Sequence, residues 1–251
     1  MIDAYGISDV GLVRSVNQDR FAITSKKKAK TQADLFALVC DGIGGAKAGE
    51  VASEQTIQYL KKAFEASGEF HTSHELEGWM YQQIRSVNDR VFAMALTDDK
   101  YTGMGTTLVA CMIHDQMCRI AHVGDSRAYY LHQDEFTCLT QDHTYMNELL
   151  RQGDVSMEEA HHHPKRNYLT NAIGVFNQIR IDMIALDEGF DCILLCSDGL
   201  HSMVSESKLQ VILRQPWSAK EKCELLVQAA NQFGGIDNIT VVILQKEEIG
   251  Q

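Results

Sequence analysis

Four short segments place an aspartate at the end of an apolar run: Cys40-Asp41-Gly42-Ile43-Gly44-Gly45, Val123-Gly124-Asp125-Ser126-Arg127, Cys196-Ser197-Asp198-Gly199 and Ile236-Asp237-Asn238-Ile239. Three of the four set glycine beside the aspartate. Glycine after a ligand lets the chain turn sharply and brings a carbonyl oxygen close to an ion. Hard divalent cations take several carboxylate oxygens at fixed points and keep positions open for water. One such junction is an ordinary turn aspartate. Four of them, each at the mouth of a strand-like run, would make a strongly negative pocket, and such a pocket is unfavourable unless cations fill it. Together they favour a metal site.

Arg14, within Gly11-Leu12-Val13-Arg14-Ser15-Val16-Asn17-Gln18-Asp19-Arg20, has a guanidinium suited to bidentate contact with phosphate oxygens. A lone arginine near a turn is more often a surface charge. Other chemistries are excluded by spacing. None of the seven cysteines has arginine six residues on, so there is no thiolate phosphate loop. Gly-x4-Gly-Lys-Ser/Thr is absent, Lys47 breaks a Gly-x-Gly-x-x-Gly reading of Gly42 and Gly44, and no Gly-x-Ser-x-Gly elbow occurs. His161, His162 and His163 are consecutive, so their side chains diverge and do not readily share one ion. His122 and His132 lie on strand-like runs and read as packing or edge residues.

The elements that must position these residues are legible as short apolar runs and helical periodicities. Strands are expected over residues 35–40, 107–113, 119–123, 128–132, 178–186, 192–196 and 239–244. Residues 119–123 and 128–132, joined by Gly124-Asp125-Ser126-Arg127, read as a tight antiparallel hairpin. Helices are expected over 49–66, 78–96 and 219–233, with another beginning at Ser205. Strands and helices do not alternate, which disfavours a doubly wound parallel sheet and favours antiparallel sheets covered by helices. Two prolines, no linker and no internal repeat predict one domain over residues 1–251. Residues 142–171 are polar, hold a short helical pattern at 146–151, and read as a surface flap.

The chain has 251 residues, an apolar fraction of 45% and a charged fraction of 23%, which suits a globular fold with a real core. Its formal net charge of -11 argues against non-specific binding to nucleic acid or an anionic membrane. The one cationic run, Lys26-Lys27-Lys28-Ala29-Lys30, reads as a solvated loop. Seven cysteines without a Cys-x-x-Cys pair, mostly inside apolar stretches, read as small buried hydrophobes in a reducing compartment. No leader and no segment of ~20 apolar residues is evident, so a soluble cytoplasmic protein is expected.

Taken together, Arg14 with Asn17-Gln18-Asp19, then Asp41-Gly42-Ile43-Gly44-Gly45, Gly105-Thr106-Thr107, Gly124-Asp125-Ser126-Arg127, Leu139-Thr140-Gln141-Asp142-His143-Thr144, Ser197-Asp198-Gly199-Leu200 and Asp237-Asn238-Ile239-Thr240 form an ordered set. It resembles the metal-dependent type 2C serine/threonine protein phosphatases, bacterial branch, over almost the whole chain. The resemblance implies an α+β fold: two packed antiparallel sheets with helices on both outer faces, a four-layer α-β-β-α sandwich. It implies two core Mn2+ or Mg2+ ions and a third, looser one. Asp41 would bridge the core ions, the Gly42 carbonyl would complete the first, and Asp198 and Asp237 would hold the second. Asp125 with Asp198 would bind the third beside the flap. Arg14 would grip the substrate phosphate. Gln18, Asp19 and Asn238 would stand behind the ligands and orient them and their waters.

The implied reaction is hydrolysis of phosphoserine and phosphothreonine by in-line attack of a metal-bridging hydroxide, with Arg14, Asp41, Asp198 and Asp237 as its working residues. Expected partners are phosphorylated proteins, namely a serine/threonine kinase and its targets, met by a monomer. Three positions depart from the family's common pattern. Ile43 stands where many members have a histidine that protonates the leaving oxygen, Gln18 where many have glutamate, and Ser202 where many have an acidic residue near the third ion. The competing readings are a non-catalytic regulator that binds phosphoproteins with the same fold, and a metal-dependent hydrolase of small phosphoesters. The regulator would be favoured by a missing core aspartate, and none is missing.

Overall fold

The computed structural model describes residues 1–26, 34–44, 48–115, 117–156, 159, 163, 165 and 168–247. Lys27, Lys28 and Lys30 of the cationic run, Gly45 of the first acidic segment, and His161, His162 and Pro164 of the flap lie outside the described residues.

Strand β3 (Asp34–Cys40) explains why an antiparallel strand can be apolar at nearly every position. It is buried from end to end. Side chains alternate between faces along a strand. Phe36, Leu38 and Cys40 pack into a cluster with Leu60 and Phe64 of helix α1 (Ala48–Ala66) and Met80 and Ile84 of helix α2 (Ser73–Thr97). Leu35, Ala37 and Val39 point the other way, into a cluster shared with a second sheet.

The sheet of β3 has the order β10-β7-β6-β3-β2, with β2 Arg20–Lys26, β6 Leu108–His114, β7 Met117–Val123 and β10 Asp182–Ala185. The second sheet has the order β1-β12-β11-β8-β9, with β1 Ile2–Asp9, β8 Arg127–His132, β9 Glu135–Cys138, β11 Cys192–Cys196 and β12 Ile239–Lys246. All pairings within both sheets are antiparallel. Two short strands, β4 (Gly42–Ile43) and β5 (Gly105–Thr106), pair beside the end of β3.

Between the sheets, Val109, Cys111, Ile193, Leu195, Val242 and Leu244 interdigitate. Outside the second sheet, Leu194, Val241 and Ile243 meet Leu209 and Ile212 of helix α5 (Glu206–Leu213) and Cys223 and Leu226 of helix α6 (Ala219–Gln232). Each fully buried Leu or Ile on these faces contributes about 1.5–3 kcal/mol over leaving it exposed. The result is the expected α+β four-layer sandwich. Helix α6 starts at Ser218, whose hydroxyl accepts from Glu221 N while the Glu221 carboxylate accepts from Ser218 N. Two further helices, α3 (Tyr145–Gln152) and α4 (Asp198–His201), flank the site described below.

Two expectations are corrected. The segment Gly124-Asp125-Ser126-Arg127 is not a hairpin turn. β7 pairs with β6 and β10, whereas β8 pairs with β11 and β9. Residues 124–126 therefore carry the chain from one sheet to the other. A glycine-aspartate pair between apolar runs is compatible with both geometries. The crossover wins because each flanking strand is buried on both faces and finds separate neighbours. The strand expected at 178–186 is confined to Asp182–Ala185. All seven cysteines are free, and all but Cys138 are buried. No helix among the described residues is long and apolar enough to cross a membrane.

Candidate metal centre

The strand ends of the two sheets meet at one edge of the sandwich. Asp41 follows β3, Asp19 precedes β2, Asp198 opens α4 after β11, Asp237 precedes β12, and Asp125 lies in the crossover after β7. Asp19 is buried, and the other four are half-buried. Burial raises the pKa of Asp41 well above the ordinary carboxylate range, and Asp19, Asp198, Asp125 and Asp237 raise it further by their charge. Burial also raises Asp125, with Asp198 and Asp142 adding to it. Asp198 is pushed up to about 6 by burial, then by Asp237 and Asp19. Asp19 is pushed up to about 6, again by burial first. Asp41 thus lies within Coulombic reach of the other four carboxylates.

Oδ1 of Asp19 and Oδ1 of Asp198 are buried without a hydrogen-bond partner among the described residues. Orphaned oxygens in an all-oxygen donor set fit a hard divalent cation such as Mg2+ or Mn2+. A countercharge at hand is Arg14, whose Nη2 donates to Asp237 Oδ2 at 2.8 Å, and Arg127 acts on Asp125. Asp198 and Asp41 also act on the Arg14 guanidinium.

The ligand-bearing turns are held by main-chain bonds and small polar side chains. Asp41 N donates to Thr107 Oγ1 at 2.9 Å, and the Asp41 carbonyl accepts from Thr107 N at 2.9 Å and Thr106 Oγ1 at 2.8 Å. A Cβ on Gly42 would sit 2.4 Å from the Gly49 carbonyl and 2.7 Å from that of Gln18, so only glycine lets the start of α1 approach. Asn238 ties the N-terminal loop to β12. Its Oδ1 accepts from Gln18 N at 2.8 Å, and its Nδ2 donates to the carbonyls of Val10 at 2.9 Å and Val16 at 3.0 Å. Ser197 Oγ donates to Asp19 Oδ2 at 2.7 Å.

The crossover carrying Asp125 is clamped by two histidines. Gly124 has φ +109° and lies against Thr107, which restricts the position to glycine. His143 N donates to the Gly124 carbonyl at 2.7 Å, and Gly124 N donates to His143 Nδ1 at 3.1 Å. From the opposite side, His201 Nε2 donates to the Asp125 carbonyl at 3.0 Å. Asn171 Nδ2 also donates to His143 Nδ1, at 2.7 Å, and its amide orientation is fixed by bonds to Arg180 O and Arg180 N. With Nδ1 accepting, the His143 proton resides on Nε2, which donates to Asp182 Oδ2 at 2.9 Å.

That tautomer bears on a second cluster. Among the described residues, His122, His143 and Asp182 are the group whose ligand atoms all lie within 4.8 Å of one another. A cation on His143 Nε2 would need a ring stripped of both protons, so this trio is a hydrogen-bonded brace. The five aspartates are more widely spaced but carry the oxygen donors. His122 is fully buried, with no hydrogen bond to either ring nitrogen among the described residues, and burial pushes it down to about 3, so it packs as a neutral ring.

The site residues expected from the sequence stand at this edge: Arg14, Gln18, Asp19, Asp41, Gly42, Asp125, Asp198, Asp237 and Asn238. Ser197, Thr107, His143 and His201 were not singled out as supports. The first three sit inside the quoted motifs, but nothing in a hydroxyl or imidazole at those positions signals its partner. Ile43, in β4, carries no titratable group. The flap closes on itself at its base, where Tyr145 N donates to the Tyr168 carbonyl at 2.8 Å and Thr170 N to that of His143 at 2.9 Å. Arg127 holds Asp142 there through two bonds, of 2.8 and 2.7 Å.

Residues 13–232 match the family model described as Protein phosphatase 2C. A serine/threonine phosphatase stp of Listeria innocua is 37% identical over 240 residues, covering 95% of this chain and 94% of the relative. Protein phosphatase PhpP of Streptococcus pneumoniae is 36% identical over 244 residues, covering 96% of each. The crystal structure of serine/threonine phosphatase Stp1 from Staphylococcus aureus superposes with a TM-score of 0.89 at 32% identity, covering 99% of this chain and 96% of that one.

Proposed function

This chain belongs to the protein phosphatase 2C family, and from that premise we propose that it is a metal-dependent phosphatase that removes phosphate from phosphoserine and phosphothreonine in proteins. The observation that supports this reading is the meeting of Asp19, Asp41, Asp125, Asp198 and Asp237 at one edge of the sandwich, with Oδ1 of Asp19 and Oδ1 of Asp198 buried without a hydrogen-bond partner among the described residues. Asp41, Asp198 and Asp237, with the Gly42 carbonyl, would hold two Mn2+ or Mg2+ ions, and Asp125 with Asp198 a third. When bound, such ions polarise phosphoryl oxygens and lower the pKa of water. Arg14, whose side chain is 55% exposed, reaches the carboxylates from the solvent side and would orient the phosphate through its fork of donors. Asp19, Gln18 and Asn238 keep the ligand turns in register from behind. No side chain at position 43 can deliver a proton, so solvent would protonate the departing oxygen. Residues 1–251 act as one catalytic domain with the flap at about 142–171. The setting is cytoplasmic, with a serine/threonine kinase and its targets as partners of a monomer.

The deciding experiment is hydrolysis of a phosphothreonine peptide and of p-nitrophenyl phosphate with and without Mn2+. Turnover requires metal and collapses in Asp41→Asn by about 100-fold or more. Full activity in EDTA, or in Asp41→Asn, would sink the reading.

A further inference from the structure

The loops around the acidic cluster expose an unusual concentration of apolar side chains. Leu12 (69% exposed), Val13 (67%) and Val16 (42%) surround Arg14 in sequence, and Phe233 (57%) and Ile236 (53%) precede Asp237. The two loops form one surface. Leu12 N donates to the Gly235 carbonyl at 2.7 Å, Arg14 pairs with Asp237 at 2.8 Å, and Asn238 Nδ2 holds the Val16 carbonyl at 3.0 Å. Single exposed aliphatic residues need no explanation. Several carried by two bonded loops, one of which also carries the site cation, mark an interaction surface.

The position of Arg14 says what covers it. A polypeptide advances about 3.3 Å per residue when extended. Once a phosphorylated side chain meets Arg14, the two or three residues on either side of it must lie over these loops. The chain's net charge of -11 and the carboxylates behind Arg14 repel acidic flanks, whereas Leu12, Val13, Val16 and Ile236 offer apolar contact. We propose that these four residues form a docking lip for aliphatic side chains of the substrate polypeptide within about three positions of the phosphorylated serine or threonine. The proposal rests on Arg14 being the phosphate-binding cation.

The test compares two phosphothreonine peptides that differ only in flanking residues, Leu and Val in one and Ser in the other, with p-nitrophenyl phosphate as a substrate too small to reach the lip. With Mn2+, the wild type is expected to favour the aliphatic peptide by about tenfold in kcat/KM, mainly through KM. The double variant Leu12→Ser with Ile236→Ser reduces that preference to within about twofold and leaves p-nitrophenyl phosphate turnover unchanged. Both positions are exposed, so the fold is retained. Equal kcat/KM for the two peptides in the wild type, or a preference that survives in the double variant, overturns the lip alone. Hydrolysis of none of the three substrates overturns the phosphatase reading and the lip with it. Concentration-dependent dimerisation by light scattering, abolished by the double variant and accompanied by no peptide preference, assigns the surface to a second copy and overturns the proposal.

Discussion

Asp19 is held in place by hydroxyls. It is 1% exposed, Ser197 Oγ reaches its Oδ2 at 2.7 Å, and the Thr240 hydroxyl also favours the anion. Removing one donor from a buried carboxylate forfeits a charge-assisted bond of about 1.5–3 kcal/mol. Ser197→Ala is therefore expected to lower the unfolding free energy at pH 8, read from urea titration, by that amount, and an unchanged urea midpoint would show that Ser197 contributes nothing. Gly42→Ala acts through space. Its Cβ would meet the Gly49 backbone carbonyl at 2.4 Å, an atom that cannot swing away. Overpacking of this kind costs about 1–3 kcal/mol. Because Asp41 is adjacent, the half-saturating Mn2+ concentration rises along with the loss of thermal stability. A variant of wild-type stability and metal dependence would contradict that account.

At the scale of elements, the crossover between β7 and β8 is the part that sequence patterns misread and the site depends on most. Its two histidine contacts give a graded prediction. His143→Leu removes the acceptor for Gly124 N, whereas His143→Asn can return an oxygen near the place of Nδ1. Amide exchange at residues 124–126 is expected to speed up about tenfold or more in the leucine variant and to be largely restored by asparagine. Equal exchange in both would reduce His143 to a packing residue. Asp41 and Asp198 were legible because they follow the apolar runs 35–40 and 192–196, and those runs are strands buried on both faces. The edge strand β2 and strand β1, with sequences RFAITSK and IDAYGISD, were not singled out, because half-buried strands mix polar and apolar residues. The supports were illegible for a different reason. Asn238 bonds to Gln18 across 220 positions, and Ser197 to Asp19 across 178, so their roles exist only once the register of two sheets is fixed.

For the molecule as a whole, acidity has two opposing consequences. Asp19 and Asp198 titrate at about 6 in the folded chain, above the unfolded value of about 3.9. The folded state therefore keeps protons that the unfolded state releases, so their contribution is full below about pH 4 and lost as pH rises through 6. Three histidines act in the reverse sense. Burial lowers His122 to about 3, His201 to about 4, and His143 in the same direction. The unfolded chain takes up those protons below about 6.5, so the histidines withdraw stability as pH falls. The pH profile of the metal-free protein mixes both effects and identifies neither. The difference between Mn2+-saturated and EDTA-treated protein brings out the aspartates, because the histidines are not ligands in this reading and contribute to both states. What remains is competition between cation and protons for the aspartates. The Mn2+-induced rise in Tm is therefore expected to be small at pH 5, to grow through pH 6 and to level off by pH 8. In Asp41→Asn it should shrink at every pH. A rise of equal size at pH 5 and pH 8 would mean that the ion binds groups other than these carboxylates.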